Sequence, residues 1–152
     1  MARRAESQPR SGCPVSISLE LLGDRWSLLI VRDLMVRGFR TYQDFLRSGE
    51  GIATNILADR LKQLVASGIV EKRVDRADRR RLNYRLTRKG IDLAPVLLDL
   101  LIWGARYEAT AVPVALLERM EKNREQLLAE VQRRWREGDA TPLQVNGCWV
   151  WP

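Results

Sequence analysis

The sequence predicts a mainly α fold with a small β-hairpin, a winged helix-turn-helix with extra C-terminal dimerisation helices. Three observations carry that prediction. Thr41 to Ser67 holds two short helix patterns around a glycine-marked turn. Ile69 to Thr87 holds two strand patterns around an arginine-rich tip, and an almost wholly apolar helix pattern follows from Pro95.

The elements follow in order. Residues 1–12 are polar and read as a disordered arm. Pro14 suits the first position of a short helix that Gly23 ends, which makes Cys13 its N-cap and Ile17, Leu21 and Leu22 its apolar side. Asp24 caps a second helix to about Val36, with Trp26, Leu29, Ile30 and Leu34 at core spacing and Gly38 closing it. Thr41 and Asp44 form a capping-box variant that opens a two-turn helix stopping near Gly49. Gly49 and Gly51 then bracket a tight turn before a helix from about Ala53 to Ser67. There Ile56, Leu57, Leu61 and Leu64 are the buried stripe, so Thr54, Asn55, Ala58, Asp59 and Lys62 face outward.

Gly68 releases the chain into Ile69 to Val74, which pairs with Leu82 to Thr87, where Leu82, Tyr84 and Leu86 alternate with Asn83 and Arg85. The segment between them, residues 75–81, is too polar to be buried and carries turn-forming aspartates, so it is the expected wing. Pro95 to Tyr107 is apolar almost all round: Val96, Leu97, Leu98, Leu100, Leu101, Ile102 and Trp103. One buried face does not require that, and the simplest second cover is the same helix of another copy, which implies a homodimer. Pro113 restarts an amphipathic helix through about Glu137, with Leu116, Met120, Leu127, Val131 and Trp135 on one side, either extending the dimer contact or folding over it. The domain thus spans residues 13–107, followed by a C-terminal helix at 113–137 and a tail at 138–152.

Composition narrows the function. The chain has 152 residues, 26 Lys and Arg against 19 Asp and Glu, and a net charge of +7, which favours a polyanion or an acidic surface as partner. Most of the surplus is local, since residues 71–89 hold nine bases and three acids. The chain has no histidine, so it cannot build a Ser-His triad or a His-containing metal site. Its two cysteines, 13 and 148, form no CxxC or zinc pattern. No Gly-rich phosphate loop or paired acids at catalytic spacing stand out, so no enzyme, metal site or cofactor is expected. The polar opening and the shortness of the apolar run Leu93 to Trp103, which contains Asp99, point to a cytoplasmic protein without a membrane partner.

Four separated motifs also resemble a known family. Cys13-Pro14-Val15, Leu22-Gly23-Asp24-Arg25-Trp26, the run from Gly51-Ile52-Ala53-Thr54-Asn55 to Asp59-Arg60-Leu61, and Leu86-Thr87-Arg88-Lys89-Gly90 are similar, in order and spacing, to the HxlR-type bacterial transcriptional regulators. The resemblance covers roughly Cys13 to Tyr107. It implies a homodimer, a repressor or activator on a near-palindromic operator, whose interface combines the N-terminal helix, here Ile17 and Leu21, with the helix after the wing, here Val96, Leu97, Leu100, Leu101, Trp103 and Tyr107. Two departures are visible. The wing is more basic than in many relatives, and the helix after Pro113 lies beyond the family's core.

A helix that enters the major groove of double-stranded DNA reads base edges with its first exposed residues. Here those are Thr54 and Asn55, with Ala58 permitting close approach and Lys62 reaching a phosphate or a guanine. Arg60 either touches a phosphate or locks its helix to a carboxylate within the domain. Arg76, Arg79, Arg80 and Arg81 on the wing are expected on phosphates or in the minor groove, and Arg40 and Thr41 at a helix start suit a phosphate. The competing readings are a merely solvated arginine face, simple helix initiation at Thr54 and Asn55, and a winged-helix protein-interaction module without DNA specificity. Cys13 at a helix N-terminus is the redox-sensing candidate for an oxidant or electrophile, in keeping with the thiol sensing that the resemblance implies; the plain alternative is a capping or half-buried thiol. A small-molecule effector in a cleft lined by Trp26 and Trp103 is the other regulatory option, against simple core packing of those rings.

Overall fold

The computed structural model describes residues 11–145 and, with Val145 by backbone alone, residues 148 and 149. Most of the polar arm and the end of the tail lie outside the described residues. The elements run α1 (Pro14–Leu22), α2 (Ser27–Arg32), a π-helical turn (Asp33–Arg37), α3 (Tyr42–Leu46), α4 (Thr54–Ala66), β1 (Val70–Val74) and β2 (Leu82–Leu86). They continue through α5 (Arg88–Ile91), α6 (Ala94–Tyr107), α7 (Val114–Lys122), α8 (Arg124–Glu137) and a minimal pair, β3 (Gln144–Val145) with β4 (Cys148–Trp149). This is a winged helix-turn-helix with a helical extension.

Local chemistry sets the boundaries. Asp24 accepts hydrogen bonds from the N–H groups of Trp26 and Ser27 at 2.8 and 2.9 Å, which satisfies the first orphan donors of α2. The capping box at α3 is complete, with the Asp44 N–H donating to the Thr41 hydroxyl at 3.3 Å and the Thr41 N–H to the Asp44 carboxylate at 2.8 Å. Gly38 ends the π turn in the left-handed region at φ 75°.

The hairpin is antiparallel, with Val70 opposite Leu86 and Val74 opposite Leu82. Its buried residues, Val70, Tyr84 and Leu86, join Ile30, Val31, Leu34, Phe45, Leu57, Leu61, Leu64 and Ile91 in the core. Phe45 sits edge-on between Phe39 and Tyr84, each ring centroid 6.1 Å away, and so ties α3 to the hairpin. The chain just before α3 also bonds to the sheet, the Tyr84 N–H donating to the Arg40 carbonyl at 2.7 Å.

Two expectations need correction, and the tail, for which the sequence set no position, finds one. The helix expected from Asp24 to Val36 changes to π geometry at Asp33, where Arg32 and Asp33, 4 and 3% exposed, form a buried ion pair. The helix expected from Pro113 to Glu137 breaks at Asn123, whose backbone leaves helical geometry at φ −111° and ψ 29° and whose side-chain amide adds a bond to the Arg119 carbonyl at 3.0 Å. The tail beyond Gly138 folds back on the domain, with Leu143 buried and its N–H donating to the Val36 carbonyl at 2.7 Å.

The extension packs on the domain. Met120, Leu116 and Val131 are buried, and Arg124 pairs with Asp99, the acid that interrupts the apolar run of α6. At the wing's root the Trp135 indole N–H donates to the Leu86 carbonyl at 2.8 Å, while the Arg85 guanidinium donates to the Trp135 carbonyl and lies over its ring.

Gly90 explains why the chain after β2 can turn so tightly. A Cβ there would stand 2.2 Å from the Ile69 carbonyl oxygen, a backbone atom that cannot yield cheaply. We expect Gly90→Ala to destabilise the fold by roughly 1–3 kcal/mol, an overpacking cost, read as a lowered urea midpoint with unchanged slope.

Candidate nucleic-acid interface

The site is built from α4 and the wing. Leu57, Leu61 and Leu64 anchor one side of α4 in the core, which leaves Thr54, Asn55, Ala58, Asp59 and Lys62 exposed, as their helical spacing requires. Ala53 is the N-cap, so Thr54 and Asn55 are the first two helical residues. The start of the helix is held from α3, where the Tyr42 hydroxyl donates to the Thr54 carbonyl at 2.7 Å. The sequence pattern gave no sign of this Tyr42 contact, because the bond joins two elements across a turn.

The wing is shaped by its aspartates. One Asp75 oxygen accepts from the N–H groups of Ala77 and Asp78 at 2.7 and 3.2 Å, and the other accepts from the Asn83 amide at 2.8 Å. These bonds, led by the Asn83 contact, hold the Asp75 carboxyl below the usual carboxylate range. The Asp75 N–H closes the loop onto the Arg81 carbonyl at 2.9 Å. The aspartates thus fold the backbone of the tip and leave the guanidinium groups outward. Arg76, Arg79, Arg80 and Arg81 are all exposed, and no ion pair with another described residue holds them.

Two other arginines are placed differently. Arg60 is committed within the domain: it donates to Gln63 at 2.8 Å and pairs with Asp59 at 3.3 Å and Asp24 at 3.6 Å. Of the two roles read for it, this geometry matches the lock to an internal carboxylate. Partial burial raises the Asp24 carboxyl, but bonds from Ser27 and the N–H groups of Trp26 and Ser27, with the Arg60 charge, outweigh it and hold it low. Arg40 turns inward, donating to the Leu34 and Phe39 carbonyls at 3.0 and 2.8 Å, so its guanidinium is not displayed with the wing. Thr41 is half-buried and spends its hydroxyl on the α3 cap.

A buried ion network beneath the turn was not visible in the sequence pattern. Arg32 donates to Asp33 and to Glu50, each at 2.8 Å, and Arg37 donates to the Ser48 carbonyl at 2.9 Å. Burial dominates at Asp33 and raises its carboxyl, against the opposing pull of Arg32 and Arg37. Glu50 and Ser48 belong to the connection between α3 and α4, so these ion pairs seat the recognition turn on α2.

The expected interface helices display apolar surface. No residue of α1 is buried, and Val15, Leu19 and Leu21 are exposed on it, while Ile17 is half-buried. On α6, Val96, Leu100, Trp103 and Tyr107 are 50–63% exposed at helical spacing, whereas Leu97 and Leu101 turn inward. A cavity of about 320 Å³ runs between α2, α6 and residues 110–112, lined by Leu28, Leu29, Leu97, Leu100, Leu101 and Arg32 among others. Neither Trp26 nor Trp103 lines this cavity. Cys13 is an exposed free thiol at the N-cap of α1, which removes the half-buried alternative.

Comparison with known proteins agrees with this geometry. A family model described as HxlR-like helix-turn-helix matches residues 21–111, so the extension from 112 lies beyond it. The HTH-type transcriptional regulator Rv3095 of Mycobacterium tuberculosis is 38% identical over 96 residues, 63% of this chain and 60% of its own. YybR of Bacillus subtilis, another protein named an HTH-type transcriptional regulator, is 30% identical over 62% of this chain and 75% of its own. The chain therefore spans about 60% of the length of the first of these relatives.

Among solved structures, the redox regulator HypR in its oxidized form is 28% identical with a TM-score of 0.58, covering 64% of this chain and 100% of that one. The reduced form of the transcriptional regulator YodB from B. subtilis is 32% identical with a TM-score of 0.54, covering 64% and 95%. With the family match spanning more than half of the residues, the chain belongs to the HxlR-like helix-turn-helix family of transcriptional regulators.

Proposed function

We propose that the protein is a cytoplasmic, sequence-specific regulator that binds a near-palindromic operator as a homodimer, with a thiol or small-ligand input. The observation that carries this reading is the pairing of an exposed Thr54-Asn55-Ala58-Lys62 face with four exposed wing arginines that form no ion pair with a described residue. Asn55 is suited to adenine through N6 and N7, and the Thr54 methyl to a thymine methyl. The wing arginines contribute phosphate contacts or enter the minor groove, where they add affinity more than sequence choice. Arg40 is left out of this surface, and Arg60 serves it by holding α4 in place. A dimer seated on an operator blocks access to the DNA beneath it, so repression is the expected sign.

The homodimer reading rests on the apolar side chains that α1 and α6 leave exposed, Val15, Leu19 and Leu21 on one and Val96, Leu100, Trp103 and Tyr107 on the other. Input through Cys13 is supported by its exposure and by the likeness to two structures, one named a redox regulator. Input through a small apolar molecule is supported by the cavity beside α6, whose walls belong to the same helix as the proposed interface.

The deciding experiment measures binding to the DNA upstream of the protein's own gene and to a random duplex, across a salt series. Sequence-specific binding is expected, and Asn55→Ala should cost about 1–3 kcal/mol at one base position only. Replacing Arg79, Arg80 and Arg81 together should weaken both duplexes and reduce the salt slope by about three. Equal, weak binding of the native protein to both duplexes would favour a protein-interaction module instead.

Leu100→Asp with Trp103→Asp should give a folded monomer by light scattering and lose the operator complex; a dimer of unchanged mass would remove α6 from the interface. Diamide or hypochlorite should alter operator affinity of the native protein, and Cys13→Ser should abolish that response. An oxidant response that survives Cys13→Ser would rule out Cys13 as the sensor.

A further inference from the structure

Where α8 meets the root of the wing and the loop before α3, a small cavity of about 20 Å³ is lined by Arg40, Arg85, Arg134 and Asp139, with Leu86 and Trp135 among its apolar walls. Three guanidinium groups therefore converge on one carboxylate. Their hydrogen bonds go to neutral oxygens: Arg40 to the Leu34 and Phe39 carbonyls, Arg85 to the Trp135 carbonyl, and Arg134 to the Thr141 hydroxyl. Asp139 is a weak counterweight, because its carboxylate accepts from the Thr141 N–H and hydroxyl and stands 3.7 Å from the Arg134 guanidinium.

Arg134 is 9% exposed, and its Nε is buried with no hydrogen-bond partner among the described residues. A buried donor on a cation is costly to leave unmatched. Arg40 shows the same imbalance: burial, then repulsion from Arg85 and Arg134, pulls its ionisation down against Asp139 and Asp44. A guanidinium nevertheless remains protonated, so the site keeps an excess of positive charge that favours an anion.

We propose that this cavity binds one small monovalent inorganic anion of chloride size between Arg40, Arg85 and Arg134. A site of this volume accommodates one sphere of water size or slightly larger, which suits a single small ion. A water would fill the space without offsetting the charge. The bound anion joins three separate elements, the loop before α3, β2 and α8, and so fastens the extension to the DNA-binding domain.

The test uses the full chain without DNA, so its outcome is separate from that of the operator experiment. Thermal unfolding is followed while sodium chloride replaces sodium glutamate at constant ionic strength, since glutamate is too large for the cavity. The midpoint should rise by roughly 3–6 °C at ten times the chloride Kd and keep climbing with the logarithm of the chloride concentration. Crystals soaked in sodium bromide should show an anomalous peak between the three guanidinium groups.

Arg134→Gln should keep the native circular dichroism and lose the chloride response. If that variant does not fold, the two measurements on the native chain still decide. No peak at the site overturns the proposal whatever the melting curves show. A peak with chloride-independent melting means an adventitious ion only, and also overturns it.

Discussion

The buried pair Arg32–Asp33 is the constraint on which the DNA-facing geometry rests. Taking two charges out of water is expensive, and their attraction compensates only when the remaining donors and lone pairs are also met. Here Arg32 extends to Glu50, while Arg37 joins Asp33 to the Ser48 carbonyl. The acceptors that complete the network lie in the connection between the two helices of the motif. Satisfying the charges therefore places Gly49 and Gly51, and with them the first turn of α4. Removing one partner would strand a charge in the core, which is why this network specifies a single arrangement of the turn more than it adds stability.

Above that foundation the site is divided between precision and charge. Residues that set position are tied down: Tyr42 to the Thr54 carbonyl, Arg60 to Asp24, Asp75 to the wing backbone. Residues available to a partner are left without such ties, as Asn55, Lys62 and the wing arginines are. Such a division suits a reader of DNA, because phosphate contacts need reach and base contacts need a fixed helix.

Much of this was legible in the sequence because it depends on local rules. The Thr41–Asp44 box, the glycine stops and the two-residue alternation of Leu82, Tyr84 and Leu86 each follow from neighbours along the chain, and each appears where the pattern placed it. The outward face of α4 followed in the same way from its leucines. The inward turn of Arg40 was not legible, since it depends on the Leu34 and Phe39 carbonyls, which only folding brings to it. Nor was the burial of Arg32, whose partner Glu50 is eighteen residues distant. The break at Asn123 was hidden for a different reason: apolar spacing continues through it, and only the backbone, at φ −111° and ψ 29°, leaves the helix.

The clasp between Trp135 and the wing's root has a bearing on how the chain comes into being. A protein emerging from the ribosome folds its N-terminal parts first. The hairpin can pair as soon as residue 86 is free, yet the Leu86 carbonyl and the Arg85 guanidinium must wait about fifty residues for the tryptophan that satisfies them. Gly38 waits longer still for the Ala140 carbonyl that packs against it. The nascent chain thus passes through a stage in which α4 exists while the base of its wing is open to water. Helix α8 completes a part of the molecule that was synthesised much earlier.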